Sequence, residues 1–129
     1  DNRYVDGGVH SPINADLLVG EGLDLIVVIA PMSMDDASGA VRTLNGPVRM
    51  FWRQQVRSEV DEMREAGENV LLIEPTLAEA KSMGPTMMDP TRIVNVVMQT
   101  TSVARESLAK EDMADQLTIL RSAASNGSS

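Results

Sequence analysis

The chain contains no cysteine, one histidine (His10) and three aromatic residues (Tyr4, Phe51 and Trp52) in 129 positions. Without cysteine there is neither a disulfide framework nor a thiolate metal site, and one histidine leaves little for a zinc centre. No metal and no other cofactor is expected. Basic charge is scarce too: eleven Lys and Arg stand against nineteen Asp and Glu, a formal net charge of -8. Nucleic-acid binding neutralises phosphates with a basic surface, so nucleic acid is not an expected partner. Long hydrophobic runs are also missing. The longest, residues 23–31, is interrupted by Asp24 and covers less than half of a membrane span. With so few rings the core must be aliphatic, and nine methionines supply its adaptable, polarizable part.

Hydrophobic residues make up 43% of the chain, enough for one globular domain with a buried core. Residues 3–5 read as a short strand that stops at Asp6-Gly7-Gly8, since consecutive glycines break regular structure. Asn14 precedes a short apolar stretch, residues 15–19, and is placed to cap a helix there. Residues 25–30 are uniformly apolar and β-branched, the pattern of a strand buried on both faces. A connection rich in Met, Ser, Asp and Gly follows, and then a helix from about 47 to 66 with Pro47 in its first turn. Trp52, Val56, Val60 and Met63 mark its inner stripe and Gly67 its end.

A third apolar strand is expected at residues 70–73, then a loop from Glu74 to Met88. Asp89-Pro90 starts another helix whose stripe is Ile93, Val97, Ala104 and Leu108, and Met113, Leu117 and Leu120 mark a last, short one. Residues 122–129 are poor in apolar side chains and read as a mobile tail, so the folded part is placed at 1–121. Alternating strands and helices indicate an α/β fold, a three-layer sandwich with a mainly parallel sheet.

In such sheets ligands sit beyond the carboxyl ends of the strands, which selects three segments: residues 6–11, 31–45 and 74–88. The first offers a carboxylate, Asp6, beside two residues with no side chain, a geometry suited to a general base or, equally, to a simple turn. In the others Met32 and Met34, and Met83, Met87 and Met88, either line an acyl groove or plug the top of the core. Arg49, Arg53 and Arg57 recur at helical spacing, either as a solvated face or as a contact with phosphate head groups at a membrane surface.

The string Tyr4-Val5-Asp6-Gly7-Gly8-Val9, then Ser11-Pro12 and Asn14-Ala15-Asp16, then a buried strand ending at Pro31, resembles the second catalytic block of the patatin-like phospholipases. The resemblance covers about residues 3–33. It implies that Asp6 is the aspartate of a Ser–Asp dyad, with Gly7 and Gly8 in its turn and Asn14 opening the next helix. It also implies a lipid or ester substrate, phospholipase A or lipid esterase activity, and a cytoplasmic protein in peripheral contact with a membrane. His10 lies beyond the turn, and the dyad has no need of it.

The same resemblance requires a glycine-rich oxyanion segment and a Gly-x-Ser-x-Gly elbow upstream of the aspartate, and this sequence contains neither. The chain is therefore expected to be the C-terminal part of such a domain and inactive alone, its nucleophile residing in an N-terminal segment of the same protein or on a companion chain. Acyl transfer to an acceptor other than water would use the same residues. A different class of function stays open beside it, a non-catalytic module or processed fragment that keeps the α/β scaffold and binds protein.

Overall fold

A computed structural model describes residues 4, 8, 11–36, 45–84, 89–109 and 113–126. Two strands, β1 (Ile26–Ile29) and β2 (Val70–Ile73), are joined by the 20-residue helix α1 (Gly46–Glu65). They pair in parallel, Ile26 opposite Val70 through Ile29 opposite Ile73. A parallel pair needs a long crossover, and the helix between two β-branched runs supplies it. The architecture is thus mixed α/β around a two-stranded parallel sheet, continued by α2 (Leu77–Met83), α3 (Ile93–Leu108) and α4 (Ala114–Asn126). Of the strand expected at residues 3–5 only Tyr4 is described, and it is exposed.

The core forms where one face of the sheet meets α1. Ile26, Val28 and Val70 form one buried cluster with Val56, Val60 and Met63, which Ala15 and Ala30 join. The helix stripe is the one its spacing predicts, except that Trp52 is half-buried and stands edge-on to Phe51. The expectation that β1 is buried on both faces is corrected. Val27 and Ile29 are 42% and 66% exposed, because alternation along a strand turns them to the face away from α1. An unbroken apolar run hides that alternation.

Gly67 ends α1 as expected. At φ +94° it lets its own amide bond the carbonyl of Arg64 and the Glu68 amide bond that of Met63, the paired bonds of a Schellman motif. The segment expected as a loop from Glu74 to Met88 instead contains α2. Its start is a capping box: Thr76 Oγ1 accepts from the Glu79 amide at 3.4 Å while Glu79 Oε2 accepts from the Thr76 amide at 2.9 Å. The Thr-x-x-Glu spacing that announces it lies in the sequence, hidden between prolines.

Gly84 closes α2 at φ +71° and ψ -166°, a region essentially reserved for glycine. A Cβ there would also lie 2.8 Å from the Arg92 guanidinium carbon. Arg92 can swing aside, so the backbone dominates, and Gly84→Ala is expected to cost about 1–3 kcal/mol in urea unfolding. A loss within about 0.5 kcal/mol, the range of ordinary surface substitutions, would show that this turn relaxes freely.

Asp89 caps the next helix as expected, accepting from the Thr91 amide at 3.0 Å and the Thr91 hydroxyl at 2.6 Å. These two bonds, helped by Arg92 3.2 Å away, hold its carboxyl below the usual carboxylate range. The chain then winds through a 3-10 turn, Pro90–Arg92, into α3. The expected stripe of α3 is corrected: Ile93 and Val97 are exposed, and the half-buried side is Val96, Val103, Ala104 and Leu108. Apolar residues run most of the way round α3, so periodicity does not select its inner face; packing against α2 does. In α4 the inward positions include Met113, just before it, Leu117 and Ile119, while Leu120 is exposed.

Helix α4 continues through Asn126, because Ala123 and Ala124 favour helix and the Ser122 and Ser125 hydroxyls bond carbonyls of the preceding turn.

Candidate active site

At the carboxyl edge of the sheet the two exit loops are tied together. The Ala30 amide bonds the carbonyl of Ile73 at 2.9 Å, and the Asp35 amide bonds that of Pro75 at 3.1 Å. Helix α1 reaches into this edge with its arginines. Arg49, only 3% exposed, donates from Nη1 to the carbonyls of Pro31 (3.1 Å) and Ser33 (2.9 Å), and burial pushes its pKa down. Arg57 donates from Nε and Nη2 to Glu74 Oε2 at 3.0 and 2.6 Å, and from Nη2 to the carbonyl of Asp35 at 3.1 Å. The Ser33 hydroxyl donates to the other Glu74 oxygen.

The arginine stripe is therefore not a uniform solvated face. Its first member is buried on loop carbonyls, and Arg57 pairs with Glu74 rather than with Asp61, which faces Arg64 at 3.5 Å. Among the methionines at this edge, Met34 is fully buried and packs with Ala80 and Met50, so it fills the core rather than lining an acyl groove. Met83 is half-buried, its sulfur 3.6 Å from Arg49 Nη2, and Met32 is partly exposed. Met87 and Met88 lie outside the described residues.

Asp6 and Gly7 also lie outside the described residues, whereas Gly8 is described and exposed. The segment that follows is held in detail. Ser11 Oγ accepts from the amides of Ile13 (3.2 Å) and Asn14 (2.7 Å), and the Asn14 side-chain amide donates to the Ser11 carbonyl at 3.0 Å. Asn14 sits at φ 48°, a left-handed conformation that asparagine tolerates better than most residues. It opens a 3-10 helix, Ala15–Leu18, as the sequence suggests, but its side chain does not cap that helix.

Glu59 of α1 does so instead. Its Oε1 accepts from the amides of Ala15 (2.6 Å) and Asp16 (3.3 Å), and its Oε2 accepts the Ser11 hydroxyl. Sequence reasoning missed Glu59 because its partners are 43 to 48 residues away. One signal was present: a carboxylate set among Val56, Val60 and Met63 on the inner side of a helix.

No protein-family model, curated protein or solved structure matches this chain. Chemically, the interior offers two serine–carboxylate pairs, Ser11 with Glu59 and Ser33 with Glu74. Attack on a carbonyl needs the hydroxyl within about 3–3.5 Å of it. Ser33 is fully buried, Ser11 is 7% exposed, and each carboxylate already serves other donors, so both pairs are struts rather than nucleophile–base dyads. Among the described residues no group of three acidic or histidine side chains converges to hold a metal, and no helix is long and apolar enough to cross a membrane.

Proposed function

We propose that this chain is the base-bearing part of a patatin-like serine acyl hydrolase, with a three-layer sandwich completed by a segment or chain outside it. Asp6 is its general base. The observation that carries this reading is the string from Tyr4 to Asp16, in which an Asp-Gly-Gly turn leads into a Ser-Pro and Asn-Ala-Asp segment before a β-α-β unit. The exposed Val27 and Ile29 support it from another direction, since the open face of a small parallel sheet is where a further layer packs.

In the proposed reaction a serine hydroxyl from outside this chain attacks the ester carbonyl as Asp6 takes its proton. The tetrahedral intermediate then expels the alcohol, to which Asp6 returns that proton. Water attacks the acyl-serine, again giving a proton to Asp6, and the acid is released as the serine recovers it. Glycine amides stabilise each oxyanion. The substrate is a lipid or other carboxylic ester, met in peripheral contact with a membrane.

A non-catalytic interaction module is the second reading, favoured by the exposed apolar side of α3, where Ile93, Val94, Val97 and Met98 stand together. A fluorophosphonate probe separates the two. The full-length protein is expected to be labelled on one serine outside these 129 residues, and the isolated chain is expected to remain unlabelled and without p-nitrophenyl esterase activity. An unlabelled, inactive full-length protein would favour the module.

A further inference from the structure

Beside the carboxyl end of β2 a cavity of about 350 Å³ is lined by residues of α1, α2 and α3, a volume within the range of small-molecule pockets. Part of the lining is apolar: Leu72 of β2, Val103 and Leu108 of α3, and Met113, all half-buried. Part is charged. Asp35, Asp61, Glu74 and Glu79 stand there against Arg57 and Arg64, so the described lining is negative.

The two guanidiniums are already committed. Arg57 gives Nε and Nη2 to Glu74 and Nη2 to the Asp35 carbonyl, while Arg64 gives Nη2 to the Val70 carbonyl at 3.1 Å and holds Nη1 3.5 Å from Asp61. Glu79 is different. It is 6% exposed, and its Oε2 serves the capping box, accepting from the Thr76 amide at 2.9 Å and the Thr76 hydroxyl at 3.1 Å. Its Oε1 takes no hydrogen bond, and the carboxylate forms no ion pair, among the described residues. A buried carboxylate oxygen without a donor costs free energy that a cation bearing N–H groups relieves.

We propose that this cavity binds an organic ammonium ion with an apolar body, the ammonium donating to Glu79 Oε1 and the hydrocarbon lying along Leu72, Val103, Leu108 and Met113. A bare metal ion needs several oxygens at once, and among the described residues no three acidic or histidine side chains converge to supply them. An anion would enter a negative lining whose guanidiniums have their partners. Nothing in this site depends on Asp6.

Titration calorimetry on the full-length protein tests the assignment with hexylammonium, hexanol and hexanoate, which share one alkyl chain, while amide NMR shifts of Leu72, Val103 and Leu108 report the place of binding. Hexylammonium is expected to bind roughly tenfold or more tightly than hexanol, the margin of a charge-assisted hydrogen bond, and hexanoate to bind most weakly. Butylammonium should bind roughly tenfold more weakly than hexylammonium, for the methylenes withdrawn from the apolar lining. Glu79→Gln keeps the capping box, which accepts glutamine at this position, and is expected to erase the preference for ammonium while leaving hexanol binding unchanged. Where that variant does not fold, the ligand series on the wild-type protein decides alone. Absence of saturable binding, hexanol or hexanoate equal to hexylammonium, butylammonium equal to hexylammonium, shifts confined to other residues, or unchanged ammonium affinity in folded Glu79→Gln would each overturn the assignment.

Discussion

Asp6→Asn in the full-length protein is expected to lower kcat for ester hydrolysis by roughly 10²-fold or more while the fold persists, the loss typical of removing a positioned base. Asparagine is nearly isosteric with aspartate and keeps one oxygen acceptor. What it cannot do is take a proton from a serine hydroxyl. A retained rate would remove Asp6 from the mechanism.

The second large effect lies in stability. The Glu74 side chain is only 3% exposed, and Arg57, itself 40% exposed, supplies both of the charged hydrogen bonds to its Oε2. Arg57→Ala leaves a buried carboxylate with the Ser33 hydroxyl and takes a donor from the Asp35 carbonyl. Breaking a buried pair from one side costs about 3–5 kcal/mol, and the partial exposure of Arg57 places the expected loss near ~3 kcal/mol at neutral pH.

The double variant Arg57→Ala/Glu74→Gln removes the buried charge and should unfold at higher urea than Arg57→Ala alone. Equal midpoints for the two would mean that the carboxylate is hydrated when Arg57 is gone.

Local rules made much of this scaffold legible. Val70 to Ile73 form a strand where their run predicts one, and Gly67 and Asp89 end and begin helices through the hydrogen bonds their side chains and backbones favour. The failures are equally local in cause. Glu74 to Met88 read as a loop because prolines and methionines outweighed a four-residue capping box. Ile93 and Val97 read as buried because a helix apolar around most of its circumference carries no phase information.

Backbone preference and hydrophobic period act within a few residues, and by themselves they determined the order of β1, α1 and β2, the inner stripe of α1, and the Asp-Gly-Gly string on which the functional reading rests. Which partners the charged side chains take is a long-range matter that only the tertiary structure decided. Arg57 lies 17 residues from Glu74, and Glu59 lies 44 from Ala15. Local spacing puts Asp61 within one helical turn of Arg57, and no basic residue stands three or four positions from Glu59. Burial decides otherwise, because a charge drawn out of water must find its counter-charge or its amides among whatever groups the packed core brings within about 3 Å.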